Sequence, residues 1–146
     1  MSSYCITSAE QLSALWKGVY KEKGRIDWSE MLLYYDDDIF FKDSIQGIRG
    51  MKEFSAMTER LAKRSRDLEY RIHNAVMEGN VIFVEWEMVI SYKKYPTSSI
   101  YGSSRLTLRD GKIIEQRDYY DLWGDIFDNI WFIKKCYRRF MRRRFG

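Results

Sequence analysis

Few side chains in this sequence could act as metal ligands or nucleophiles. His73 is the only histidine, and Cys5 and Cys136 are the only cysteines, 131 positions apart. A zinc site or a disulfide framework needs its residues grouped at short spacing, so neither can be built, and no metal or other cofactor is expected. His73 shares a strand face with Glu69 and Arg71; this places it on the sheet surface or at a dimer face, where it cannot serve a Ser/His/Asp arrangement. Gly47 and Gly50 lack the spacing of a phosphate-cradling loop. The other chemically distinctive group is cationic: Lys134, Lys135, Arg138, Arg139, Arg142, Arg143 and Arg144 fall in the last 13 positions, with no acid among them.

That cluster accounts for the net charge of +4, because without it 18 basic residues face 21 acidic ones. The body is mildly acidic and offers no basic surface for nucleic acid, which is the least favoured partner class. With 146 residues, 45% apolar and 32% charged, the chain suits one domain with a real core. An aromatic content of 16%, with five Trp and eleven Tyr, exceeds what a minimal core requires, so some rings are expected to line a cavity or an interface. The start, MSSYCITSAEQ, has neither a basic segment nor an apolar stretch of roughly 7–15 residues, and no apolar run approaches the ~18 that span a bilayer. A cytoplasmic protein is expected, or one held peripherally at the inner membrane face.

The elements that must position any site follow from periodicity. Ser8-Ala9-Glu10-Gln11 reads as a capping box, with Leu12, Leu15, Trp16 and Val19 at helical spacing, which predicts a helix over 8–22, ending before Gly24. Asp27 or Ser29 could cap a short helix through Leu33; Tyr34 to Lys42 reads as extended, and Gly47 and Gly50 as a loop. Met51, Phe54, Met57 and Leu61 predict a third helix to about Arg64. The period then becomes two. Leu68, Tyr70, Ile72, Asn74 and Val76 share one face, and after a turn at Glu78-Gly79-Asn80 the strand Val81 to Tyr92 has the apolar face Ile82, Val84, Trp86, Met88, Ile90 opposite Glu85 and Glu87. After Pro96 a strand from about Ser99 to Arg109 turns at Asp110-Gly111 into another from Lys112 to Tyr120. Helices followed by a twisted antiparallel meander make an α+β plan, without internal repeat or linker.

The string DGKIIEQRDYYDL (Asp110 to Leu122), with IYGSSRLTL before it and YYDDDIFFKDSIQGIRGMKEF (Tyr34 to Phe54) upstream, resembles the nuclear-transport-factor-like superfamily. More narrowly it resembles the SnoaL-like group of limonene-epoxide hydrolases, ketosteroid isomerases and polyketide cyclases. The likeness covers about residues 8–123. It implies a cone in which a curved antiparallel sheet wraps around the N-terminal helices and encloses a pocket, commonly as a homodimer through the sheet, with residues 1–123 as the cone domain. It also places Asp118 where the hydrolases carry a catalytic Asp, and Asp43 where the isomerases carry a base. Two inward carboxylates could divide acid and base roles, and burial would raise the pKa of Asp118. Phe41, Val84, Trp86, Met88 and Tyr120 are the expected ligand-binding residues. The pattern breaks where the hydrolases complete a triad with Arg and Asp, since those positions read Trp86 and Met88; Phe41 and Asp43 stand where their Tyr and Asn would be. The first-helix Tyr of the isomerases falls at Trp16 or Lys17, with Tyr20 a turn away. The function that remains is binding of a small hydrophobic ligand, polycyclic, isoprenoid or lipid-derived, with acid/base isomerase, cyclase or hydrolase chemistry on Asp118 and Asp43. The alternative is a non-catalytic binding or interaction module.

Residues 124–146 predict a separate basic amphipathic helix. Ile130, Ile133, Tyr137, Phe140 and Met141 form one stripe, Lys135, Arg138, Arg139, Arg142 and Arg143 the other side, and Trp131 and Phe132 point away from the stripe. It could lie on an anionic membrane surface or pack back on the sheet or a dimer partner.

Overall fold

The computed structural model describes residues 4–20, 26–92, 97–126, 128 and 130–146. Helix α1 (Ala9–Val19) begins where Ser8, in extended conformation, accepts the amide of Gln11 at 3.1 Å. Gln11 reaches back to the amide of Thr7 at 2.8 Å, one residue upstream of the partner a capping box would give it. The helix buries Ala9, Leu12, Trp16 and Val19; the expected stop near Gly24 lies outside the described residues. The short helix α2 (Ser29–Leu32) starts with Asp27 Oδ1 accepting the amide of Ser29 at 2.9 Å.

The strands are β1 (Tyr35–Lys42), β2 (Gly47–Arg49), β3 (Ser65–Glu78), β4 (Val81–Tyr92), β5 (Ser98–Arg109) and β6 (Lys112–Tyr120), with helix α3 (Met51–Arg64) between β2 and β3. They form one curved, unclosed sheet in the order β2-β1-β6-β5-β4-β3. The meander β3 to β6 is antiparallel throughout. Its successive reversals bring β6 beside β1 in the same direction, so this one pair is parallel and the sheet is mixed rather than wholly antiparallel. The segment at Gly47 is also more than a loop: Gly47, Ile48 and Arg49 pair with Lys42, Phe41 and Phe40 as an edge strand. At the β5–β6 hairpin, Asp110 and Gly111 both take positive φ (51° and 77°), as a two-residue turn matched to strand twist demands.

Strand β3 departs from the simple alternation. Ile72 opposes Trp86, but Asn74 opposes Glu85, so His73 is an extra residue and the strand bulges there. Because a slip of one residue inverts the faces, Asn74 and Val76 point outward, contrary to the sequence pattern. Asn74 donates to Glu85 Oε2 at 2.8 Å and Val76 is 64% exposed, while Ala75 and Met77 pack on the core. On the outer face His73 is exposed, with Nε2 3.6 Å from Glu87. Glu87 is buried rather than solvated, and it receives Arg71 Nη1 at 3.3 Å.

The core lies between the concave face of the sheet and the helices. Phe54 of α3 packs against Tyr35 and Phe41 with ring centroids 4.7 and 5.6 Å apart, and Leu12 of α1 is fully buried with Ile39, Ile82, Val84, Leu106 and Ile113. Beyond β6 a π-helical turn (Leu122–Ile126) is tied to β5 by Asp125 Oδ2, which accepts the amide of Tyr101 at 3.0 Å. Helix α4 (Trp131–Phe145) follows and buries none of its residues.

Candidate functional site

Side chains alternate across a strand, so Gln116, Asp118 and Tyr120 of β6 share the concave face, and Trp86 and Met88 of β4 and Ile100 of β5 join them. Trp16 and Tyr20 enter from α1 and its C-terminal end, and Met57, Thr58 and Leu61 from α3. Between them lies a cavity of about 380 Å³. Of the residues singled out from sequence, Asp118, Asp43, Phe41, Trp86, Met88 and Tyr120 all border it. Val84 does not: it is sealed in the core on the same strand face, two residues from Trp86. Arg60 and Arg64 are the cations at the cavity's border among the described residues.

Asp118 sits at the meeting point of two hydrogen-bond chains. Trp86 Nε1 donates to Ser104 Oγ at 2.9 Å, and Ser104 Oγ donates to Asp118 Oδ1 at 2.6 Å. Tyr35 Oη donates to Gln116 Oε1 at 2.5 Å, and Gln116 Nε2 donates to the same Asp118 Oδ1 at 2.9 Å. Both chains end on Oδ1, leaving Oδ2 without a hydrogen bond among the described residues. Burial pushes the Asp118 carboxyl up to about 6 and the charge of Asp43 adds to the rise, while the bonds from Ser104 and Gln116 hold it down. Removing one of those bonds has a definite sign. Ser104→Ala is expected to raise the Asp118 pKa further, measured by titrating the carboxyl-carbon resonance of Asp118; an unchanged or lowered titration would deny Ser104 that role.

Asp43 serves two purposes at once. Its Oδ1 accepts the amides of Ile45 and Gln46, both at 2.8 Å, and so closes the turn between β1 and β2. Its Oδ2 accepts the Tyr120 hydroxyl at 3.1 Å on the cavity side. Aromatic side chains make up much of the rest of the wall. Tyr20 stacks on Tyr70 at 5.0 Å, and Tyr70 also meets Trp16 (5.8 Å) and Trp86 (5.6 Å). Burial first, and the Asp118 charge among the further causes, raise the Tyr20 and Tyr70 phenols well above their usual range, so both stay protonated as potential donors. The indole N–H groups of Trp16 and Trp28, at the same cavity, have no hydrogen-bond partner among the described residues.

Several of these residues carry signals legible in the sequence. Gln116 lies two residues before Asp118 on one strand face, and Trp16 and Tyr20 are separated by one helical turn. Alternation puts Ser104 on the same face of β5 as Leu106 and Leu108, but only the β5–β6 register sets it opposite Asp118. Tyr70 lies on the Leu68 and Ile72 face that alternation shows, whereas Trp28 carries no comparable local signal, since tertiary packing alone brings it to the cavity. Among the described residues no group of three or more His, Cys, Asp or Glu side chains is placed to hold a metal ion.

A curved sheet closed over a cavity by N-terminal helices defines the nuclear-transport-factor-like fold. Residues 16–116 match the model of the SnoaL-like domain, and the chain belongs to that family. An LEH-like epoxide hydrolase of M. tuberculosis superimposes with a TM-score of 0.68 at 20% identity, covering 83% of this chain and 87% of that one. A putative SnoaL-like polyketide cyclase from Jannaschia gives 0.66 at 20% identity, covering 84% and 92%. A hypothetical protein with a ketosteroid isomerase-like fold from Catenulispora acidiphila, in complex with trimethylamine, gives 0.67 at 18% identity, covering 80% and 88%. At such identities the likeness carries the fold alone. No curated protein matches the chain in sequence.

Proposed function

We propose that this protein binds a small hydrophobic molecule, polycyclic, isoprenoid or lipid-derived, in the cavity and moves a proton on it with Asp118, as an isomerase or cyclase does. The observation that carries the reading is one carboxyl titrating at about 6 on the wall of a cavity otherwise dominated by aromatic and aliphatic side chains. A pKa close to the working pH gives an acid/base group both the correct protonation state and useful driving force. Near neutral pH Asp118 is mainly a base. The protonated phenols of Tyr20 and Tyr70 are the donors that a substrate oxygen gaining negative charge would need. Asp43 is the secondary carboxylate, its bonds to the turn keeping it a positioning and electrostatic group. Hydrolysis through a triad finds no support, because Trp86 and Met88 bring no charge to Asp118.

A non-catalytic binding module is the second reading, favoured by the bonds that already engage Asp118 Oδ1 and both oxygens of Asp43. A homodimer through the outer sheet face belongs to the proposal as well, since Phe83, Tyr101 and Tyr119 stand exposed there, as does a cytoplasmic location.

The test is uptake of a neutral naphthalene dye whose emission reports polarity. Saturable binding of one dye per chain is expected, displaced by isoprenoid or steroid competitors and lost in Met57→Trp, which fills the cavity from α3. Absence of saturable binding, or binding unaffected by that substitution, would overturn the ligand site. Turnover of a displacing compound, or its absence, separates the catalytic reading from the module.

A further inference from the structure

Helix α4 takes no part in the cavity, and its exposed surface has a composition that water alone does not explain. Trp131, Phe132, Phe140 and Phe145 are 75, 60, 61 and 72% exposed, within one helix. Ile133, Tyr137 and Met141, one turn apart, form the half-buried line of the helix, with Tyr137 stacked on Trp123 at 5.4 Å. Beside that line Phe132, Cys136 and Phe140 make a second row at the same spacing, exposed along its length and flanked by Arg139 and Arg143. Asp128 takes Arg138 in two bonds of 2.8 and 2.6 Å and holds Lys134 at 3.7 Å. Lys135, Arg139, Arg142, Arg143 and Arg144 pair with no acid among the described residues. No helix among the described residues is long and apolar enough to cross a membrane.

We propose that α4 docks on the surface of an anionic lipid bilayer, with the Phe132/Cys136/Phe140 row at the headgroup–acyl boundary and the flanking cations against lipid phosphates. Long cationic side chains can lie along an apolar face while their charged ends stay in the polar layer, which is what Arg139 and Arg143 are placed to do. Charge selects the partner. Two copies of this helix facing each other would oppose seven cations with seven. Nucleic acid would satisfy the cations but leave the phenylalanine row without a role, and the acidic body would repel its backbone.

The test uses the full chain and sedimentation with vesicles of phosphatidylcholine alone, or with about 30% phosphatidylglycerol. Binding to the anionic vesicles is expected to be at least about tenfold tighter, and to weaken about tenfold from 0.1 to 0.5 M NaCl as the charges are screened. Phe132→Ser with Phe140→Ser, and separately Arg139→Gln with Arg143→Gln, should each weaken it about tenfold while the chain melts as before. The proposal is overturned by equal or absent binding to the two vesicle types, by full binding in the phenylalanine variant, or by tighter binding to a DNA duplex than to vesicles. A phenylalanine variant that melts well below the parent chain overturns it too, because the row would then be a packing surface.

Discussion

Asp118→Asn is expected to abolish proton transfer and, at pH 7, to make the chain more stable. The first effect follows from the proposed role: loss of a positioned acid/base group costs typically about 10²–10⁴-fold in rate. The second follows from the direction of the pKa shift. Asp118 titrates at about 6 in the folded chain against an ordinary 3.8, so the native state holds its proton more tightly than the unfolded chain does. Below pH 3.8 both states are protonated and the group is neutral to stability. Between 3.8 and about 6 the unfolded chain releases its proton first, and stability falls as pH rises. Above about 6 the native state bears the full cost of a buried charge, on the order of 2–3 kcal/mol as an upper bound, because the carboxylate borders a cavity that water can enter. Removing the charge recovers that energy. Urea unfolding of parent and variant should therefore give equal stability near pH 3.5 and a more stable variant at pH 7. Undiminished turnover by the variant would remove Asp118 from the chemistry, and a less stable variant at pH 7 would show that the Asp118 hydrogen bonds outweigh the cost of its charge.

How much of this site the sequence shows depends on how local its causes are. The helices and the four long strands follow from periodicity, because burial of one face imposes spacing on the residues that form it. The concave position of Asp118 follows from the same alternation that sets Gln116 and Tyr120 beside it. The face of Asn74 does not, since the bulge at His73 is fixed by pairing with β4 and not by any residue within β3. The parallel β1–β6 pairing is likewise a consequence of topology, and no residue in Tyr35–Lys42 announces it. The resemblance marks Asp43 as a cavity residue but not as the residue that closes the β1–β2 turn; one oxygen does each. Val84 and Trp86 look alike in the pattern, yet one closes the core and the other borders the cavity, because only the larger side chain extends to the space left beneath α1 and α3.

Gly102→Val is expected to damage fold and site together, because Gly102 is where the backbone gives Trp86 room. The residue lies mid-strand in β5, opposite Trp86 on one side and Tyr120 on the other. A Cβ there would stand 2.6 Å from Trp86 Cη2 and 2.6 Å from the backbone oxygen of Tyr119. The indole can move only by leaving its place in the cavity wall, and the carbonyl can move only with the strand. Glycine in a strand interior is ordinarily a weakness, and here it marks this close approach. Overpacking costs about 1–3 kcal/mol, and more where backbone must shift, against a total stability of about 5–15 kcal/mol. A fall in melting temperature of about 5–15 °C is expected. The chemistry should follow the packing: a displaced Trp86 no longer donates to Ser104, the hydroxyl that holds Asp118 Oδ1 loses its own anchor, and the Asp118 titration broadens or moves up. Gly47→Ala supplies the contrast, since a Cβ there meets only Phe40 Cε2 at 3.9 Å, and that variant should melt within about 2 °C of the parent chain. If Gly102→Val melts like Gly47→Ala, then the contact between β5 and the indole does not hold the cavity wall in place, and the aiming of Asp118 through Ser104 loses its structural basis.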